Sequence, residues 1–228
     1  MNALHVLATN LDYLLWGAWP HGAVGGLALT LLMGMTAAAG ASLLGVGWGV
    51  ALIWLPARQG VPLALLSGLL RAIPVMMLIF WSYFLLPILF GVDIPGALTV
   101  VCALTLIGGA YLAHTVRAGI EAIAPGQWQA GLSLGMSRWQ TLRLIILPQA
   151  LRMMAPSFVN QWISLLKDTS LAYVVGVAEL TFVASQVNNR EQMYPLSVFL
   201  FLALLYFLPC AGLAWLGRRW EAQSVHRT

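Results

Sequence analysis

Four stretches of the chain carry no charged residue: Gly22 to Ala57, Ala72 to Val92, Ile94 to Ala113 and Gln192 to Gly217. Each is near or above the roughly 20 residues a helix needs to cross a bilayer. A fifth apolar stretch starts at Met153 and is interrupted by Lys167 and Asp168. Counted as a crossing, it makes an all-α protein of about five transmembrane helices. In the first span, Gly45 with Gly49 and Ala37 with Ala41 have the spacing that lets helix backbones approach closely in lipid, with the partner helix left open.

Polar residues collect in the longest connection, Glu121 to Arg152. Pro125 and Gly126 turn the chain, a short helix follows from Gln127 to Leu134, and Gly135 suits a left-handed stop. Ser137 and Gln140 have capping-box spacing at the start of a second helix. Trp139, Leu142 and Ile146 recur on one face of it, and Pro148 is expected to limit it. Two short helices joined at a glycine make a compact knob. Its Trp128 and Trp139 imply burial on the inner membrane surface or docking into a partner protein.

Composition agrees with a membrane protein: 61% of the 228 residues are hydrophobic and 8% charged, with a mean hydropathy of +0.86. With five spans, Arg58, the loop arginines Arg117, Arg138, Arg143 and Arg152, and the tail arginines Arg218, Arg219 and Arg227 share one side. The positive-inside rule then places the N-terminus outside and the C-terminus in the cytoplasm. The net charge of +4 is this bias and calls for no nucleic-acid partner. His5, Asp12 and His21 are the only potentially charged side chains among the first 21 residues, so a cleaved signal peptide is not expected. Cys102 and Cys210 fall within spans, where small apolar side chains pack. Without repeats or linkers, residues 1–228 read as a single transmembrane domain, with the cytoplasmic loop at about 121–150.

Three kinds of chemistry lack support. Gly131 to Gly135 matches G-x-S-x-G, but the strand that such a motif needs before Ser133 is absent from a helical context. A phosphate-binding loop needs glycines before a lysine, and the sole lysine, Lys167, follows "SLL". No metal or catalytic site is expected, since the four histidines are scattered. Any nucleotide energy must come from another subunit.

The segments "RAIPVMMLIFWSYFLLP", "AYLAHTVRAGIEAIAPGQWQAGLSLGMSRWQTLRLIILPQALR" and "LLKDTSLAYVVGVAELT" resemble the permease subunits of binding-protein-dependent ABC importers for polar amino acids. The family motif reads E-A-A, three residues, G, nine residues, I-x-L-P. Gln129, Ala130, Gly131, Gly135 and Ile145 to Pro148 keep its spacing. Gln129 replaces the usual glutamate and Gly131 the second alanine, while His114 stands where many relatives have a glutamate. The resemblance implies the ABC type I importer permease fold. It makes the knob, with Trp128, Gln129, Ala130, Gly131, Gly135 and Pro148, a coupling helix seated in a separate ABC ATPase dimer that binds the ATP and Mg. It also implies a second permease subunit, similar or identical, an extracytoplasmic amino-acid-binding protein, a polar amino-acid substrate and a location in the bacterial inner membrane.

Lys167 lies 11 residues past Pro156, where the chain re-enters the membrane, or about 16 Å at 1.5 Å per residue. That is near the midplane, where each charge costs about 2.5–3.5 kcal/mol to insert. Asp168, Thr169 and Ser170 are good N-cap types, so a helix break is expected there, with a half-helix N-terminus aimed at substrate. Lys167, Asp168, Thr169, Ser170 and Glu179 are the substrate-path candidates, with Glu179 expected to face the outer vestibule or the docked binding protein. A structural ion pair against a sister subunit is the other reading of the two charges. The competing functional class, an autonomous channel or ion-coupled secondary transporter, would use Lys167 and Asp168 as a gate and leave the knob without a role.

Overall fold

The computed structural model describes residues 3–91 and 93–225, and these are almost entirely helical. Val92, the expected end of the second span, and Arg227 of the basic tail lie outside the described residues. Four helices are long and apolar enough to cross a membrane: Gly26–Trp54, Gly96–Glu121, Arg138–Val175 and Pro195–Arg219. The second expected span, Ala72 to Val92, holds one helix, Val75–Phe90, and a further helix, Ala57–Ala72, precedes it. Helices Ala57–Ala72 and Val75–Phe90 meet at a break before Pro74, and counting the pair as one crossing gives five. Proline pushes the residue before it out of the α region and contributes no amide donor, so a helix ends readily at that point. Short helices cover Ala3–Thr9, Leu11–Trp16, Pro125–Ser133 and Leu180–Glu191.

The chain sorts into two compact units: Met1–Ala39, Ile73–Thr105 and Trp162–Leu213 in the first; Gly40–Ala72, Leu106–Gln161 and Ala214–Thr228 in the second. In the first unit, Leu180, Val183, Ala184 and Val187 bury one face of a short helix with Leu14, Val198 and Leu205. This helix begins at Glu179, whose carboxylate accepts from the Thr181 and Phe182 amides at 2.8 and 2.9 Å. The Tyr206 hydroxyl donates to the same carboxylate at 2.8 Å, and the Leu180 amide donates to Thr30 Oγ1 at 3.0 Å. Orphan amide donors at the helix start are thus satisfied by two side chains, Glu179 and Thr30, and a third segment supplies Tyr206 to hold the carboxylate.

In the second unit, glycines set the distance between two membrane helices. A Cβ at Gly45 would stand 2.5 Å from Leu112 Cβ, and one at Gly49 would stand 2.6 Å from Val116 Cβ. Gly109 faces back, its Cβ position 2.6 Å from Leu44 Cδ2. The partner of the Gly45 and Gly49 stripe is therefore the Gly96–Glu121 helix of the same chain. Gly119 against Met154 and Gly217 against Val159 repeat the arrangement at other helix pairs.

Two predictions come from this packing. Gly49→Val should lower the thermal midpoint of the purified assembly, since overpacking costs about 1–3 kcal/mol, and adding Val116→Ala should recover most of the loss. Glu179→Ala should also destabilise, by about 1–3 kcal/mol, because it strips two helix amides and a half-buried tyrosine of their acceptor. Unchanged melting in either single variant would contradict the contact it tests.

Candidate functional site

The knob is built by local hydrogen bonding. Pro125 opens its first helix at a position where no amide donor is needed. That helix ends in a Schellman motif: Gly135 N–H donates to Leu132 O at 3.0 Å and Met136 N–H to Gly131 O at 3.2 Å, with Gly135 at φ +79°. Two residues on, the expected capping box is present. Ser137 N–H donates to Gln140 Oε1 at 2.8 Å and Gln140 N–H to Ser137 Oγ at 3.2 Å. Between the two motifs only Met136 remains, so the corner has little freedom.

Gly131 holds the two helices together. It is buried, and a Cβ there would stand 2.6 Å from Thr141 Cγ2 and 2.8 Å from its Oγ1. Thr141, itself fully buried, donates to Ser137 O at 3.0 Å. The departure from the family's second alanine thus has a physical counterpart in a β-branched residue across the corner. Gln129, Ala130 and Gly135 are exposed and Trp128 is half-buried. Leu132 and Leu134 are 49% and 79% exposed, which gives the knob an apolar tip. A side chain at Gly135 would meet nothing within 4 Å, so φ alone demands glycine there.

Pro148 does not limit the second helix. The chain is helical through it, because Leu142–Ile146 form a π turn in which Leu147 N–H donates to Leu142 O. Widening the preceding turn accommodates a residue that has no donor and whose ring crowds the carbonyl four positions back. The knob therefore runs without interruption into the membrane helix Leu147–Asp168.

The expected break at Lys167 and Asp168 is absent. Asp168 keeps helical angles, φ −68° and ψ −17°, and its side chain caps nothing. The helix tightens from Thr169 into a 3-10 segment, Thr169–Val175, and stops at Gly176 with φ +73°. A continuing helix satisfies its amides internally, as membrane depth requires, so no half-helix N-terminus points at a substrate. Lys167 is exposed and Asp168 half-buried, without an ion pair between them; Thr169 is buried, donating to Leu166 O at 2.7 Å, and Ser170 is half-buried. These four remain neighbours on one helix.

Glu179 is placed elsewhere and differently from expectation. It is 0% exposed, so it faces no vestibule and acts as the cap of the Leu180–Glu191 helix. Burial raises its carboxyl pKa, opposed by the hydrogen bonds from Thr181, Tyr206 and Phe182. Sequence patterns missed this because glutamate is not among the preferred N-cap residues. His114 hydrogen bonds through Nε2 to Ser67 Oγ at 3.1 Å. No group of His, Cys, Asp or Glu that could hold a metal occurs among the described residues.

Residues 41–222 match the model of the binding-protein-dependent transport system inner membrane component. The chain is 39% identical over 165 residues to the probable glutamine ABC transporter permease protein GlnP of Bacillus subtilis strain 168, covering 72% of this chain and 75% of that one. It is 33% identical over 194 residues to the glutamate/aspartate import permease protein GltK of Escherichia coli O157:H7, covering 80% and 84%. The crystal structure of an amino acid ABC transporter with histidines superimposes with a TM-score of 0.78 at 28% identity, covering 86% of this chain and 91% of that one. The fold is that of ABC importer permeases, and the chain, a multi-pass membrane protein, belongs to the binding-protein-dependent transport system inner membrane component family.

Proposed function

We propose that this permease subunit forms the path for a polar amino acid, an acidic one or its amide, and is driven through its knob by a separate ABC ATPase. One observation carries the driving role. The corner at Gly135 is closed by a Schellman motif and a capping box in immediate succession, and it continues through a π turn into a membrane helix. Such an element moves as a rigid piece and can pass a displacement on; a loosely tied loop would absorb it. The exposed Leu132 and Leu134 offer the apolar tip that a groove on the ATPase would cover.

The names of the relatives support the substrate class, since one is described for glutamine and another for glutamate and aspartate. ATP and Mg belong to the partner ATPase dimer. A second permease, identical or similar, and an extracytoplasmic binding protein complete the assembly. The distribution of arginines supports a cytoplasmic knob and C-terminus with the N-terminus outside. Gln129 in place of the family's glutamate leaves a neutral hydrogen bond where an ion pair would otherwise be made. Trp128, Gln129, Ala130, Gly131, Gly135 and Pro148 form or brace the coupling element, and Lys167, Asp168, Thr169 and Ser170 supply polar groups to the path. Glu179 serves that path indirectly, by holding the Leu180–Glu191 helix.

Three outcomes test this reading. Gly135→Arg should assemble with the ATPase yet lose substrate-stimulated ATP hydrolysis in proteoliposomes; wild-type stimulation would remove coupling from the knob. Gly131→Ala should reduce that stimulation through overpacking of about 1–3 kcal/mol, and Thr141→Ala in the same chain should recover it. Asp168→Ala should cut amino-acid uptake without preventing assembly, and normal transport by this variant would exclude Asp168 from the path.

A further inference from the structure

Within the second unit, an apolar groove of about 490 Å³ lies between the Gly26–Trp54 and Ala57–Ala72 helices. Leu43, Gly47, Trp48 and Ala51 line one wall, and Leu63 and Leu66 line the other. Leu43, Gly47 and Ala51 recur every four residues and Trp54 follows three later, so one helix face leads from the groove to Trp54. Leu43 to Trp54 spans about 16 Å along the axis. On the other wall, Arg58 stands in the first turn of the Ala57–Ala72 helix, four positions after Trp54.

The end of this face is chemically different from the groove. Trp54 packs edge-on against Trp139 with ring centroids 5.3 Å apart, and the Arg138 guanidinium lies 5.9 Å from the Trp54 ring. Both tryptophans are about half exposed, as are Arg58 and Arg138 to a degree that leaves their head groups accessible. Neither arginine has a carboxylate partner among the described residues. Tryptophan rings favour the headgroup level of a bilayer, and a guanidinium matches phosphate oxygens in a two-pronged contact. An apolar cleft in a membrane helix pair that ends in two unpaired arginines and two tryptophans has the polarity pattern of a phospholipid. A transmembrane helix seated there would cover the leucines but would leave both cations unmatched.

We propose that the groove and the Trp54, Arg138 and Trp139 cluster form one binding site for an anionic phospholipid. An acyl chain lies along Leu43, Gly47 and Ala51, and the phosphate is held by Arg138 and Arg58. Basic positions between membrane helices at the headgroup level recognise acidic lipids by the same combination of charge and apolar contact.

Native mass spectrometry tests this on the complete transporter with its ATPase, equilibrated in micelles holding equal phosphatidylglycerol and phosphatidylethanolamine. Phosphatidylglycerol should be the lipid retained. Arg58→Gln with Arg138→Gln should lower that preference by about fivefold or more. Gly47→Phe, at a position where an added side chain meets nothing within 4 Å, should fill the cleft and reduce retention of both lipids. If Gly47→Phe prevents assembly, the arginine variant alone decides, because its positions are on the surface. Equal retention of the two lipids by the unaltered transporter, or full preference in the arginine variant, overturns the proposal. So does a disulfide between two permease chains through Leu66→Cys, which would seat a second subunit in the cleft.

Discussion

The need to satisfy backbone donors and acceptors shapes this chain wherever a helix starts, stops or meets a proline, and within the apolar spans it must be met without water. Three places show how. At Gly135 two capping motifs close consecutive helix ends within a few residues. Ahead of Pro148 a π turn passes the hydrogen-bond ladder around a residue that cannot donate. At Glu179 a carboxylate is taken wholly out of solvent to accept from two amides and a tyrosine. Each solution constrains direction as well as energy, because a capped corner fixes the angle at which the next helix leaves.

Packing supplies the second constraint. Helices in lipid gain little from burying leucine against leucine, so close backbone approach has to come from residues without side chains. Gly45 and Gly49 against Leu112 and Val116, and Gly109 against Leu44, do this reciprocally in one helix pair. Gly131 does the same outside the apolar spans, against Thr141. A glycine that reads as a deviation when the motif is taken alone is, in the folded chain, one half of a complementary pair.

What could be read from the sequence was what depends on neighbours in sequence. The capping box at Ser137, the stop at Gly135 and the apolar tracts are all set by residues within a few positions of each other. The errors arose where distant segments decide. Asp168, Thr169 and Ser170 have cap chemistry, yet a cap forms only if the helix ends, and the packing of Leu165, Leu166 and Thr169 keeps it going to Gly176. Pro148 ends a helix only if the preceding turn cannot widen, which composition does not reveal. Glu179 reads as a surface acid because Tyr206, which donates to it, is 27 positions away, and Thr30, which accepts from the adjoining Leu180 amide, is 150 positions from that residue. The partner of Gly45 and Gly49 was open for the same reason.

These local and distant solutions bear on transport together. A knob that is rigid at its corner is useful only if the helix it joins is also continuous, since a broken membrane helix would flex at the break and lose the displacement. The unbroken run from Arg138 to Val175 therefore supports the lever more directly than a half-helix at Asp168 would have done. It also changes what Lys167 and Asp168 can contribute. On a continuous helix they act through their side chains alone, with no free backbone amides beside them, so any contact with a zwitterionic solute must come from the ammonium and the carboxylate themselves. Adjacent residues on a helix diverge by about 100°, so one solute cannot be gripped by both in the manner of a clamp. On the proposed path, the two side chains therefore contribute polarity to the passage and no paired grip on one solute.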